Sequence, residues 1–263
     1  MIFYFSATGN TEWAARKVST ALSEELVFIP HTDPATQVYA LQPGETIGFC
    51  FPVHAWRPPT VVRDFIRACR FDHPEGHFCW ILCTAGDDIG ETIDIAQKDL
   101  ATAGLHADSV FSLIMPESYV GLPMMDVDTD EAAAKKLSRA SERMETFIRR
   151  IQHRDKGYAA LNLSRWPRIN SRLLGSLFVR WLISDRPFRC DADRCIHCGQ
   201  CAKACPVGNI IIDEHQHPQW LRQGVCTTCF ACYHHCPTHA IEWGRMTQSK
   251  GQYYMKKNKT DNI

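Results

Sequence analysis

Cys195-Ile196-His197-Cys198-Gly199-Gln200-Cys201-Ala202-Lys203-Ala204-Cys205-Pro206 returns 31 residues later as Cys226-Thr227-Thr228-Cys229-Phe230-Ala231-Cys232-Tyr233-His234-His235-Cys236-Pro237. Both copies have the spacing C-x2-C-x2-C-x3-C-P, and Ile210 and Ile241 follow at matching positions. Three closely spaced thiolates wrap one side of an iron–sulfur cube, and the short loop cannot close the cube alone. The fourth thiolate then comes from the other copy. The spacing predicts one 4Fe–4S cluster on Cys195, Cys198, Cys201 and Cys236, and a second on Cys226, Cys229, Cys232 and Cys205. Each proline ends its ligand loop, because it fixes φ and offers no N–H. Zinc sites show two separated ligand pairs, so successive quartets argue against zinc. Cys190, just before the first quartet, reads as a spare thiol. His197, His234, His235 and His239 read as residues that tune hydrogen bonds around the cluster or face water.

The chain has 263 residues and 45% apolar content, enough for one good core and a small satellite domain. Thirteen cysteines in a chain of this length suit metal binding in a reducing cytoplasm better than disulfides. The run Met1–Phe5 is too short and lacks the basic leader of a signal peptide, and no stretch approaches the roughly 20 apolar residues of a membrane span. A cytoplasmic location is expected. Net charge is zero, which argues against nucleic-acid binding, but the charge is uneven. Residues 1–155 hold 14 Lys and Arg against 22 Asp and Glu, whereas residues 156–190 hold seven against one.

The first 155 residues alternate buried-strand and helix signals. Strands are expected at Met1–Phe5, Leu26–Ile29, Thr46–Phe51, His77–Cys83 and Ser109–Met115. Helical periodicity runs through Trp13–Leu22 and about 59–70, 91–103 and 130–153. Five strands interleaved with helices predict a doubly wound parallel α/β sheet, with a ligand at the carboxyl ends of its strands. The turn after the first strand, Ser6-Ala7-Thr8-Gly9-Asn10-Thr11, offers hydroxyls and helix N–H groups to an anion. The same residues would also serve as an ordinary N-cap. No Gly-Lys-Ser/Thr follows, which excludes a P-loop.

That turn resembles the FMN-phosphate loop of flavodoxins. Taken with the two cysteine quartets, the chain resembles the EFR1-family ferredoxins, bacterial proteins that fuse a flavodoxin-like domain to a two-cluster ferredoxin. The resemblance spans about residues 1–245. It implies a flavodoxin-like five-stranded sheet followed by a small α+β ferredoxin-like domain, with FMN held at three loops. These are Ser6–Thr11, the segment 52–58 with Pro52, His54 and Trp56, and the segment 84–90 with Thr84, Gly86, Asp87 and Gly90. Trp56 would stack on the ring, with His54 or Arg57 at its edge. The third loop departs from the family's doubled glycine, since Asp87 and Asp88 stand there. Met115–Tyr119 also resembles a family segment.

Residues 156–189 form a basic connector. Leu173, Leu174, Leu177, Phe178, Trp181 and Leu182 recur at helical spacing among six arginines. The expectation is that this apolar stripe lies against both domains while the arginines meet the acidic half. The other reading is a membrane-surface or partner-docking helix. Residues 190–245 make the cluster domain, and 246–263, with Lys250, Lys256, Lys257 and Lys259, a frayed tail. The expected function is single-electron transfer between two 4Fe–4S clusters and FMN. A redox partner protein, either a ferredoxin or a reductase or acceptor enzyme, would serve one end, and a small organic substrate could serve the flavin. A carrier without a substrate site, or a sensor whose flavodoxin-like domain lacks FMN, are the alternatives.

Overall fold

The computed structural model describes residues 1–163 and 165–256; Lys257 and Lys259 of the expected tail lie outside the described residues. A six-stranded, wholly parallel sheet contains β1 (Ile2–Tyr4), β2 (Leu26–Phe28), β4 (Ile47–Pro52), β6 (Cys79–Ala85), β7 (Ser109–Ile114) and β8 (Gly157–Ala159), in the order β2-β1-β4-β6-β7-β8. The short strands β3 (Val38–Ala40) and β5 (Arg70–Asp72) pair separately. β4 and β6 carry runs of consecutive apolar residues and are buried on both faces, as a parallel sheet between helices requires.

Helices α2 (Thr60–Ala68) and α3 (Thr92–Thr102) cover one face, over Phe3, Phe49, Phe51 and Ile81. Helices α1 (Asn10–Leu22) and α4 (Asp130–Gln152) cover the other, where Phe147 packs against Phe111 and Trp80. α4 shows how the sequence sets one such element. The Thr129 side chain caps it by accepting from the Ala132 N–H at 3.3 Å, acidic residues open it, and Arg149 and Arg150 close it. Ala133, Ala140, Met144, Phe147 and Ile151 form its buried stripe.

The five expected strands are present, but the sheet has a sixth. β8 is only Gly-Tyr-Ala, too short to carry a periodic signal, and it is recruited by pairing with β7 at the sheet edge. After it, a π-helical turn at Ile169–Leu174 runs into α5 (Gly175–Trp181). The cysteine-rich module is built from β9 (Phe188–Cys190), α6 (Gln200–Lys203), β10 (Ile210–Ile212), β11 (Pro218–Trp220), α7 (Ala231–His234) and β12 (Ile241–Trp243). β10–β11 and β9–β12 form two antiparallel ribbons around Phe188, Phe230, Tyr233 and Trp243.

Two expectations are corrected. The connector's stripe lies against both domains only in part: Phe178 packs on Tyr119 and Leu182 on the cluster module's core, beside Ser171 and Gly175, whereas Leu173, Leu174, Leu177 and Trp181 are exposed. Polar ties seat that docking side. The Ser171 hydroxyl donates to the Trp56 carbonyl, and Arg57 donates to the Ser171 carbonyl and the Ser176 hydroxyl. Of the arginines in 165–189, Arg172 alone forms an ion pair among the described residues, with Glu91.

Residues 246–256, expected to fray, are packed. Lys250 donates to the carbonyls of Val120, Leu122 and Met125. The Tyr253 hydroxyl donates to Asn10, and the Met255 N–H to the Thr8 carbonyl. A cation with three carbonyl acceptors holds this strap in a way that charge counting does not reveal.

Candidate functional site

The strand order reverses between β1 and β4, and the loops leaving their carboxyl ends diverge there. A cavity of about 220 Å³ opens at that point. It is lined by all three loops singled out in the sequence, through Ser6, Ala7, Thr8, Asn10, Thr11, Pro52, His54, Trp56, Thr84, Gly86 and Asp87. Gly9 and Gly90 stand behind it. Gly9 precedes α1 at φ 93°, a left-handed conformation that favours glycine, with Met255 packed over it. Gly90, at φ 53°, backs onto Trp56: a Cβ there would lie 2.6 Å from the Trp56 Cβ.

Local structure fixes each wall. Ala55 and Trp56 both have positive φ, and His54 and Arg57 exchange backbone hydrogen bonds at 2.9 and 3.1 Å across that turn. The Trp56 indole N–H donates to Asp88 at 3.1 Å, and Asp88 also accepts from the Gly90 N–H. The departure at this loop therefore has a structural use, because Asp88 orients Trp56. Asp87 is exposed. Arg57, expected at a ring edge, turns away to the connector. In the first turn, Thr11 is hydrogen-bonded to Thr84 at 2.7 Å, and Asn10 is held by Pro116 and Tyr253. The Ser6 hydroxyl is buried without a partner among the described residues. An orphaned hydroxyl beside unsatisfied first-turn N–H groups suits an anionic group entering the cavity.

His54 is wrapped by protein even though the cavity reaches its edge, and burial lowers its pKa to about 4. Its imidazole is neutral at pH 7, which removes it as a ready proton donor. Burial of a neutral histidine stabilises the fold fully above its usual value of 6.5, and that contribution is lost as pH falls from 6.5 towards 4. The loss is at most about 3 kcal/mol. Thermal unfolding at pH 7 and pH 4.5 should therefore show a smaller acid-induced drop for His54→Gln than for the wild type.

Sequence reading missed several walls. Glu117 and Tyr119 line the cavity from the segment after β7. The Glu117 carboxylate occupies the space where Gly86 lacks a Cβ, accepts from the Ser118 and Tyr119 N–H groups, and has its pKa raised by burial. The Tyr119 hydroxyl is buried and unpartnered among the described residues, and burial raises its pKa. The resemblance of Met115–Tyr119 to a family segment was the only signal for these residues.

Phe178 and Ile183 of the connector and Thr227, Thr228 and Cys229 of the second cysteine loop complete the lining. The strand-end cavity and the second quartet thus share one wall. A more open cavity adjoins it through Gly86, Asp87, Asp88, Glu117 and Met125.

The structure places cysteines of both copies near one another, and among the described residues the ligating atoms of Cys190, Cys195 and His217 lie within 4.8 Å of one another. A hollow of about 20 Å³ lies among Cys195, Cys198, Cys201 and Cys236. Burial pushes the Cys201 thiol up to about 11, with neighbouring Cys236 and Cys198 adding to the shift. In the other set, burial raises Cys226 to about 12, with Cys229, Asp185 and Cys205 contributing, and Cys205 likewise adds to the rise at Cys229 and Cys232. Sulfurs crowded in this way ionise together only beside strong positive charge, which iron provides. Backbone N–H groups already aim at three of them, Asn209 at Cys205 (3.2 Å), Thr228 at Cys226 (3.4 Å) and Ala240 at Cys236 (3.2 Å). Such hydrogen bonds stabilise cluster sulfur. The donor set fits iron–sulfur ligation.

His234, placed by its sequence neighbours among possible tuners, instead ties the module to the sheet domain. It faces the Ser118 carbonyl at 2.7 Å and accepts from the Tyr253 N–H at 3.1 Å.

Residues 188–237 match the family of 4Fe-4S dicluster domains. The chain is also 36% identical over 53 residues to an uncharacterized ferredoxin of Methanocaldococcus jannaschii, a stretch covering 19% of this chain and 69% of that protein.

Proposed function

We propose, from the premise that this chain belongs to the ferredoxins through its dicluster domain at residues 188–237, that it is an iron–sulfur flavoprotein. The ferredoxin domain binds iron–sulfur and serves electron transfer with a redox partner. No helix among the described residues is long and apolar enough to cross a membrane. Beyond that, our reading is two clusters, on Cys195, Cys198, Cys201 and Cys236 and on Cys226, Cys229, Cys232 and Cys205. FMN would occupy the strand-end cavity of a flavodoxin-like domain, as in the EFR1-family ferredoxins. Clusters exchange single electrons and FMN takes one or two, so together they can deliver pairs to an acceptor.

The observation that carries this reading is the shared wall, where Thr227-Thr228-Cys229 meets Ser6, Trp56 and Glu117 around one cavity. The order β2-β1-β4-β6-β7 supports it, being the flavodoxin-like arrangement with a sixth strand added at the edge. The residues have separable tasks. Ser6, Thr8 and the first turn of α1 would take the phosphate, with the helix dipole behind them. Trp56, fixed by Asp88, offers an aromatic face, while neutral His54 offers a hydrogen-bonding edge without charge. Glu117, with its raised pKa, is the group placed to hold a proton near the cavity. The adjoining open cavity favours an enzyme with a small organic substrate over a closed carrier.

The test is anaerobic reduction by a low-potential ferredoxin. Bleaching of both the iron–sulfur band and the FMN band is expected. Bleaching of the iron–sulfur band with bound FMN left oxidised would refute the reading.

A further inference from the structure

The connector helix has an exposed face that neither the cavity nor the cluster domain uses. Ile169, Leu173, Leu177 and Trp181 follow one another at intervals of four, and their exposures are 50, 58, 48 and 69%. Leu174 and Trp166, also exposed, widen the stripe. Spacing of this kind normally faces a core. Here the opposite side of the same helix docks, through Ser171, Gly175 and Phe178, so the stripe is a surplus that folding leaves in water.

Around the stripe stand Arg165, Arg168 and Arg180, none ion-paired among the described residues, with Arg165 and Arg180 lying over the rings of Trp166 and Trp181. The segment 156–190 holds seven basic residues against one acidic, and of these Lys156 pairs with Asp108 and Arg172 with Glu91.

We propose that this face docks on an anionic lipid surface, with the helix lying in the interface plane. Apolar side chains flanked by arginines, with tryptophans at both ends, match the polar–apolar boundary of a bilayer. The charge selects among occupants. A second copy packed by twofold symmetry would set arginine against arginine. The segment 257–263 carries Lys257 and Lys259 against Asp261, a net positive charge of the same sign as the rim. An anionic surface matches both the charge and the stripe. Docked in this way, the helix would have its inner side, through Phe178, still lining the cavity, so the site would sit one helix away from the bilayer.

The test uses the full chain, purified anaerobically and sedimented with vesicles. Binding is expected to vesicles of phosphatidylglycerol mixed with phosphatidylcholine, and not to phosphatidylcholine alone. It should weaken with salt. Leu173→Ser combined with Leu177→Ser, and separately Arg168→Glu combined with Arg180→Glu, should each weaken it about tenfold or more. All four positions are exposed, so iron and flavin content should match the wild type, which shows that the variants fold. Failure to bind phosphatidylglycerol vesicles at low salt, or equal binding by the leucine variant, would overturn the proposal. So would a wild-type dimer in light scattering that the leucine variant turns into a monomer, since the face would then be a contact between copies. A soluble acidic protein that binds this face in preference to the vesicles would overturn it as well.

Discussion

Cys229→Ala is expected to cut iron from about eight atoms per chain to about four, and to slow reduction of bound FMN by an external ferredoxin at least 100-fold. Cys229 is the cysteine that lines the strand-end cavity, and its neighbours across the site include Cys205 from the other quartet. Removing it leaves three sulfurs, two of them with thiolates strongly disfavoured by burial, so a cube there loses its hold. Cys198 provides the contrast. It is exposed and borders the far hollow with Cys236. Cys198→Ala should lose the same amount of iron while FMN stays reducible by small-molecule reductants at close to the wild-type rate. Iron content shows that each variant has lost one cube, and stopped-flow absorbance with the same reductants applied to both separates the two. Wild-type iron content in Cys229→Ala, or wild-type FMN reduction rates despite iron loss, would contradict the assignment of the cavity-side cluster.

Ser6→Asp is expected to weaken FMN binding by roughly 1,000-fold, and Ser6→Ala by roughly 10- to 100-fold. The Ser6 hydroxyl is buried without a partner among the described residues and lies at the start of the turn into α1. Alanine removes one hydrogen bond to a charged phosphate, worth about 1.5–3 kcal/mol. Aspartate adds a carboxylate next to that phosphate, where protein shields it from water and like charges repel strongly. Equilibrium titration of FMN into flavin-stripped protein measures the series. Equal affinity in the wild type and both variants would place the phosphate elsewhere.

The cluster domain was legible almost completely, because its chemistry fixes residue type and spacing together. A thiolate quartet cannot be replaced by a pattern of average hydrophobicity, so an iron–sulfur domain could be expected before any fold was known, and residues 188–237 match the dicluster family. The strands of the sheet were legible for a different reason. β4 and β6 are buried on both faces, and their uninterrupted apolar runs are a signal that survives without context. β8 had no such signal, since Gly-Tyr-Ala becomes a strand only because β7 offers it an edge.

The loops around the cavity were legible in place but not in detail. That Asp88 would orient Trp56, or that Arg57 would turn to Ser171, depends on residues 32 and 114 positions away in the chain. Glu117 and Tyr119 were invisible as walls because their burial is set by Gly86 and Phe230, contacts that no local pattern encodes. The connector misled for a physical reason. Its stripe has core periodicity, but Ser171 and Gly175, small enough to let the helix approach the 54–57 loop, determine which side docks.

The most direct test is to purify the chain anaerobically and count iron and FMN per polypeptide after reconstitution with both. About eight irons and one FMN are expected, with the FMN lost in Ser6→Asp and four irons lost in Cys229→Ala. A chain that takes up its iron yet binds no FMN at saturating concentration would contradict that expectation.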